Sequence, residues 1–196
     1  MALISLVYAV VVAATIAEKP PWFDEGGYAN PAYNLLNHGR LGMPIVFSQR
    51  DAWPGVDYYT FHMPPLWFLF QAAWYSVFDF GIFQMRALSA VFGLLLVISL
   101  YSFTRRITGN YWVGLLAAII VATDFNITRW AGDGRMDMMC AALGFAAAAA
   151  YVNLRERRFR LAIFVSQALV VASGLTHPAG ILHLIGVLAL VLYFDR

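Results

Sequence analysis

Seven apolar segments follow one another along this chain, and they limit what it can fold into. They cover residues 1–17, 64–78, 87–104, 111–128, 138–154, 161–175 and 179–194. Several approach the ~20 apolar residues that an α-helix needs to cross a lipid bilayer. Hydrophobic residues make up 61% of the chain and charged residues 12%, whereas soluble domains are closer to one half and one quarter. The sequence therefore predicts an all-α polytopic membrane protein.

Arginine clusters predict which ends of these segments face the cytoplasm. Two adjacent arginines follow segment 87–104, and four more follow segment 138–154. Positively charged loops favour the cytoplasmic side of a membrane. Segments 111–128 and 138–154 are therefore predicted to cross outward and back, and the loop TRWAGDGRMD that joins them is predicted to lie outside.

The same alternation orients the rest of the chain. All segments except 64–78 become spans, and the loop 18–63 lies outside. Segment 64–78 cannot be a further span, because one more crossing would invert everything after it. It is also shorter than a typical span, and it carries Trp67, Trp74 and Tyr75, whose rings favour the membrane interface. We predict a helix that lies along the outer membrane surface.

Several other classes of segment and partner are disfavoured. Segment 1–17 lacks a basic start and ends in TIAEKPPW, a poor cleavage site, so it is interpreted as a span rather than a signal peptide. The single cysteine, Cys140, excludes a disulfide within the chain and reads as a small core residue. A net charge of only +2, with arginines divided among loops, gives no support to nucleic-acid binding.

The stretch PWFDEGGYA, residues 21–29, places two carboxylates directly after the first span. Asp24 and Glu25 precede apolar residues at helical spacing that end at Gly39, so they are predicted to lie at the N-terminus of a short surface helix. Asp24 could be its N-cap, worth about 0.5–2 kcal/mol. A catalytic role stays open beside the cap, because ionisable groups at a membrane edge are more often functional.

A second charged group is predicted on the same face. WAGDGRMDMM places Asp133, Arg135 and Asp137 at the outer end of segment 138–154. Arg135 and Asp137 are two residues apart, which would point them to different sides of a helix. All three could simply cap and solvate the helix end. Asp137 fits that reading least, because it lies among apolar residues and needs a partner such as Arg135, Arg129 or a bound cation.

Two histidines also lie at predicted outer boundaries. His62 opens HMPPLWFLF, and His177 lies in GLTHPAG. Each is either an interfacial hydrogen-bonding residue or a member of a site on this face.

Five motifs, taken together and in order, resemble one group of enzymes. They are Asp24–Glu25 after the first span, His62–Met63–Pro64–Pro65, Arg86–Ala87–Leu88–Ser89–Ala90, Arg105–Arg106 before Gly109, and Arg135–Met136–Asp137. The chain resembles the protein O-mannosyltransferases and bacterial aminoarabinose transferases of the GT-C class over nearly its whole length, with Met63 inserted in the usual H-P-P. Such enzymes are longer. The resemblance therefore implies that residues 1–196 are the N-terminal portion of a GT-C-like transmembrane domain.

The resemblance implies a multi-pass glycosyltransferase of the plasma or inner membrane, with its active face extracytoplasmic. Members transfer a sugar from a polyprenyl-phosphate carrier to a protein, lipid or glycan acceptor. Asp24 is then the expected base, Glu25 supports it or binds acceptor or metal, and Asp137 orients substrate. The one cofactor that the resemblance leaves open is a divalent cation held by Asp24, Glu25 or Asp137.

The resemblance also implies substrate-binding residues. Arg135 is the expected clamp for the departing phosphate, because a guanidinium can bind phosphate oxygens in a bidentate way. His62, Tyr28 and His177 are expected to contact substrate as well.

The sequence leaves two other classes of protein open. A transporter component predicts charges near mid-span and inverted repeats, whereas the acidic residues here cluster at one membrane edge. A non-catalytic or truncated scaffold is compatible with AALGFAAAAA, since small residues permit close helix packing in membranes.

Overall fold

The computed structural model describes residues 1–45, 54–60 and 63–195, and these residues form nine α-helices and no strand. The helices are α1 (Ala2–Glu18), α2 (Phe23–His38), α3 (Leu66–Phe78), α4 (Ile82–Thr108), α5 (Tyr111–Thr123), α6 (Phe125–Ala131), α7 (Met136–Leu154), α8 (Phe159–Thr176) and α9 (Ile181–Phe194). The predicted all-α fold class is confirmed.

Three of the described helices are long and apolar enough to cross a bilayer. They are α4, α7 and α8, with 27, 19 and 18 residues. The pair α5 and α6 passes the same test together but bends by 61° between the two helices. The protein is therefore an integral membrane protein. Helices α1 and α9 are apolar but shorter, so the membrane crossing of 1–17 and 179–194 stays a prediction.

The bend between α5 and α6 divides the predicted span 111–128 into two helices, and its crossing of the membrane stays a prediction. Asp124 leaves the helical conformation, with φ −65° and ψ 129°. Its Oδ1 accepts a hydrogen bond from the Ile127 N–H at 2.9 Å, which caps the N-terminus of α6. A polar residue that interrupts the apolar stretch thus ends one helix and starts the next.

Helix α7 is the centre of the bundle and packs against α4, α8 and α9. It buries many small side chains, including Ala142 and Ala147. Small residues let membrane helices approach closely. At Gly144 a Cβ would lie about 2.1 Å from the ring of His183 on α9, so a larger residue would require that ring to move.

Helix α3 covers one end of the bundle without running its length. Its 13 residues extend about 20 Å, short of the ~30 Å hydrocarbon core of a bilayer. It buries Trp67, Phe68 and Tyr75. The chain just before it lines a cavity with Pro178 after α8, and its last residue is four positions before the start of α4. Both ends of α3 therefore lie at one end of the bundle, and its place at the membrane surface stays a prediction.

Cysteine labelling tests the predicted orientation. In a Cys140→Ala background, His38→Cys at the exposed end of α2 is expected to react with a membrane-impermeant maleimide in intact cells. Phe159→Cys at the exposed start of α8 is expected to react only after permeabilisation, because arginine-rich ends favour the cytoplasm. Labelling of His38→Cys only after permeabilisation would contradict the orientation.

Candidate active site

A buried arginine joins α4 to the chain between α1 and α2. The side chain of Arg86 is only 2% exposed. Its Nε and Nη2 donate to the two carboxylate oxygens of Glu25 at 2.6 and 2.8 Å. The backbone carbonyls of Ile16, Lys19 and Pro20 accept its other hydrogen bonds at 2.8–3.1 Å. All five guanidinium N–H groups are thereby used, so Arg86 holds the end of α1 and the start of α2 in one position.

Glu25, rather than Asp24, completes the N-terminus of α2. Trp22 is the N-cap residue, and Glu25 is three positions later. Its Oε2 accepts a hydrogen bond from the Trp22 N–H at 2.7 Å, the contact that the glutamate of a capping box makes. The interpretation of Asp24 as N-cap is therefore wrong. Glu25 is buried and bonded to Arg86, which gives it a structural role. Its predicted support of Asp24, or contact with acceptor or metal, stays a prediction.

Four of the predicted site residues form one cluster where the N-termini of α2 and α7 meet. Arg135 is at its centre. The Arg135 Nε donates to Asp137 Oδ2 at 2.8 Å, and Nη1 lies 3.5 Å from Asp24 Oδ2. The guanidinium also lies over the Tyr28 ring, 5.6 Å from its centroid. Residues separated by more than 100 positions in sequence thus share one charged site.

The ion pair between Arg135 and Asp137 corrects the expectation that they point to different sides. Arg135 is the N-cap of α7 and has extended backbone, with φ −97° and ψ 150°. The helical rule for residues two apart applies only when both are inside a helix. From its extended position before the helix, the Arg135 side chain reaches Asp137 in the first turn of α7.

The electrostatics of the cluster keep Arg135 charged and Tyr28 protonated. Partial burial disfavours the charge of Arg135, but its hydrogen bond to Asp137 and the nearby Asp137, Tyr28 and Asp24 raise the pKa above its usual value. Burial raises the pKa of the Tyr28 phenol, and the charges of Asp24 and Asp137 add to the rise while Arg135 opposes it. Arg135 is thus a fixed cation, and Tyr28 is a hydrogen-bond donor at neutral pH.

Helix α4 also positions the backbone of Arg135. The hydroxyl of Ser89, fully buried on α4, lies 3.3 Å from the carbonyl oxygen of Arg135. Just before it, Gly134 has φ +62°, and a Cβ there would lie 2.7 Å from Met85. The positive φ favours glycine here, and a Cβ would also displace the flexible Met85 side chain. Ser89 lies one helical turn after Arg86. One face of α4 therefore supports both the start of α2, through Arg86, and the start of α7, through Ser89.

Lys19 and Asp133 form a further ion pair beside the cluster. The sequence pattern predicts a partner for neither residue. Both are largely buried, and the pKa of Lys19 is lowered by burial, then by the nearby Arg129, with Glu25 opposing. The positions of the two residues at predicted outer ends of spans are the only signal in the sequence that they could meet.

A cavity of about 230 Å³ opens beside Asp24. Its lining combines the carboxylate and the Tyr28 ring with small and apolar residues: Gly26, Gly27, Met43, Ile45 and Met63. A second cavity of about 430 Å³ lies along the chain around Met63 and reaches Pro178. Substrate could thus lie next to Asp24 with apolar surface around it.

The structure tests neither of the two predicted histidines as a substrate contact. His62 lies outside the described residues. His177 is partly buried at the end of α8, and its Nδ1 accepts a hydrogen bond from the Ala179 N–H at 3.1 Å, which caps the turn before α9. The Ser173 hydroxyl on α8 donates a hydrogen bond to the Cys140 carbonyl on α7. Because the two helices run in opposite directions, His177, four residues after Ser173, lies at the level of the first residue of α7, four residues before Cys140. A substrate contact for it stays a prediction.

The carboxylates of the cluster do not fit a metal ion in this arrangement. No group of three or more His, Cys, Asp or Glu side chains that could hold a metal occurs within residues 1–45, 54–60 and 63–195. Asp24 and Asp137 both face the guanidinium of Arg135, which already supplies the positive charge that a cation would bring. The predicted divalent cation stays untested.

The helices and the charged cluster define a polytopic membrane protein with a polar site at one end of its bundle. A sequence model of the dolichyl-phosphate-mannose-protein mannosyltransferase family matches residues 22–194. The chain therefore belongs to this family, whose members are glycosyltransferases that use a polyprenyl-phosphate-linked mannose. The family resemblance seen in the motifs is confirmed. No curated protein and no solved structure matches the chain.

Proposed function

We propose that this chain provides the acceptor-activating and phosphate-binding part of a mannosyltransferase site on the extracytoplasmic face of the membrane. The observation that carries the proposal is the convergence of Asp24, Tyr28 and Asp137 on Arg135. Family membership supports a polyprenyl-phosphate-linked mannose as donor and a protein hydroxyl as acceptor.

The reaction needs a base and a positive charge close together, and the cluster contains both. The acceptor oxygen attacks the anomeric carbon of the sugar, and its proton passes to the Asp24 carboxylate. The bond between that carbon and the phosphate oxygen breaks, and its electron pair leaves with the polyprenyl phosphate. Arg135 stabilises the charge that develops on that phosphate.

Asp137 and Tyr28 orient these two groups. The hydrogen bond from Arg135 Nε to Asp137 holds the guanidinium in place. Within the described part of the protein, the hydrogen bond of Arg135 to Asp137 comes from Nε and its contact with Asp24 from Nη1. In the proposed reaction, Nη2 donates to a phosphate oxygen. Tyr28 borders both the guanidinium and the cavity beside Asp24, so its phenol is placed to donate to the sugar or the acceptor.

The extracytoplasmic placement of the site rests on charge distribution. The cluster lies at the end of α4 and α7 away from Arg105, Arg106 and the arginines that follow α7. Arginine-rich ends favour the cytoplasm, which puts the cluster on the other face. A lipid-linked donor fits that face, because its polyprenyl chain can enter from the bilayer beside the bundle.

Replacing Arg135 with glutamine tests the proposal. Arg135→Gln is expected to lower the turnover of the intact protein by about 10²–10³-fold, the usual effect of removing one group that stabilises developing negative charge. Arg135→Lys keeps the charge but loses the planar fork, so partial activity is expected. The measurement is transfer of labelled mannose from a polyprenyl-phosphate donor to a peptide acceptor.

Arg129→Gln is the matched control, because Arg129 is an exposed arginine at the same end of the bundle. Its transfer activity is expected to stay near that of the wild type. Equal losses in Arg129→Gln and Arg135→Gln would reject a specific phosphate contact. Full activity in Arg135→Gln would favour a non-catalytic role for this cluster.

A further inference from the structure

We propose that the opposite end of the bundle holds a binding site for the phosphate group of an anionic membrane lipid. A polar cavity of about 440 Å³ lies between the C-terminal ends of α4 and α7. It is lined by Tyr101, Ser102, Arg105, Arg106, Gly109 and Asn153. Asn153 lies near the last residue of α7 and Arg135 just before its first, so the cavity is about 27 Å from the acidic cluster.

Arg105 is the cation in this cavity that has no carboxylate partner within the described residues. It lies over the rings of Tyr101 and Tyr111, 5.9 and 5.8 Å from their centroids. Its Nη1 donates to the Tyr101 hydroxyl at 3.2 Å. Arg106, in contrast, pairs with Glu156 and donates to the Val152 carbonyl. Arg105 therefore has guanidinium N–H groups left for an external anion, and the two rings hold it in position.

Neutral donors complete the lining. The Ser102 hydroxyl accepts a hydrogen bond from Asn153 Nδ2 at 3.0 Å, which leaves its own proton available for a ligand oxygen. Helix α5 closes the other side and approaches α4 closely at Gly114, where a Cβ would lie 2.9 Å from the Cβ of Arg105. A phosphate in the cavity would thus meet a guanidinium and a hydroxyl on packed helices.

The surroundings point to a lipid rather than a soluble phosphate compound. Tyr111 and Trp112 begin α5 beside the cavity and are 44% and 73% exposed. Such amphipathic rings favour the level of the lipid headgroups. Arg155, Arg157 and Arg158 follow α7 at the same end. Basic pockets between membrane helices on a positively charged face are typical binding sites for anionic headgroups.

Lipid retention by the purified intact protein tests the site. The protein is mixed in detergent with phosphatidylglycerol or phosphatidylcholine, and bound lipid is counted by native mass spectrometry. Wild-type protein is expected to retain phosphatidylglycerol in preference to phosphatidylcholine. Arg105→Gln is expected to weaken that retention by about tenfold, because one charge-assisted pair with phosphate is lost.

Arg157→Gln is the control, since Arg157 is exposed at the same end but does not line the cavity. It is expected to retain lipid like the wild type. Equal weakening by both substitutions would show general attraction and overturn the site, as would equal retention of the two lipids. Displacement of phosphatidylglycerol by millimolar inorganic phosphate would assign the cavity to free phosphate and overturn the proposal that its ligand is a lipid.

A second substitution guards against loss of folding. Arg105→Lys keeps the charge and the stem of the side chain, and it is expected to bind phosphatidylglycerol more weakly than the wild type but more strongly than Arg105→Gln. The melting temperature of each variant is recorded beside its lipid retention. If Arg105→Gln unfolds, the double variant Arg105→Lys with Ser102→Ala replaces it. Retention of phosphatidylglycerol by that double variant at the wild-type level would overturn the proposal.

Discussion

Asp24→Asn is expected to lower mannose transfer by about 10²–10⁴-fold, the usual contribution of a general base. Asparagine has nearly the same size as aspartate but cannot accept the acceptor proton. The N-terminus of α2 should survive the change, because Glu25 and not Asp24 makes its capping hydrogen bond. Only the partly exposed ion pair with Arg135 is lost, and such pairs contribute about 0–1 kcal/mol.

Two measurements separate the readings of Asp24: mannose transfer from a polyprenyl-phosphate donor, and thermal stability in detergent. Asp124→Asn is the matched control, because Asp124 caps α6 and asparagine caps nearly as well as aspartate. Loss of transfer with unchanged stability in Asp24→Asn supports the base. Transfer close to that of the wild type would remove Asp24 from the mechanism and leave Asp137 as the carboxylate to test.

Arg86→Gln is expected to destabilise the protein by about 3–5 kcal/mol, the cost of leaving one partner of a buried ion pair without the other. Glu25 would remain buried without its counter-charge. Three backbone carbonyls at the end of α1 would also lose their donors. The measurement is the free energy of unfolding in mixed detergent micelles, followed by tryptophan fluorescence.

An exposed ion pair supplies the control for Arg86. Arg106 pairs with Glu156 at the other end of the bundle, with side chains 38% and 57% exposed. Arg106→Gln is expected to change stability by no more than about 1 kcal/mol. The double variant Arg86→Gln with Glu25→Gln should regain part of the loss, because no unpaired charge stays buried. Equal destabilisation by Arg86→Gln and Arg106→Gln would contradict the anchoring role of Arg86.

The helices and the general location of the site could be predicted from the sequence. The N-terminal ends of α2 and α7 were expected on one face, and Asp24, Tyr28 and Arg135 meet there. Apolar runs and arginine clusters carry this information, because each depends on residues that are neighbours in sequence. The break at Asp124 was missed, since one polar residue hardly changes the average hydropathy of an otherwise apolar stretch.

The partners of the charged residues could not be predicted. Arg86 binds Glu25 across 61 positions, and Lys19 meets Asp133 across more than 100. Several carboxylates and cations were expected on the outer face, and their spacing in the sequence does not indicate which carboxylate pairs with which cation. Ser89 was visible within its motif, but its support of Arg135 depends on how closely α4 and α7 pack.

The sequence by itself determined that this chain forms apolar helices in a membrane, with acidic residues at one end and arginines at the other. Hydropathy and charge are summed over consecutive residues, so no packing is needed to read them. Only the tertiary structure decided between the two adjacent carboxylates that follow α1. Neighbours on a helix point about 100° apart, and the packing of α4 against that turn buried Glu25 on Arg86. Asp24 was thereby left facing Arg135 and the cavity.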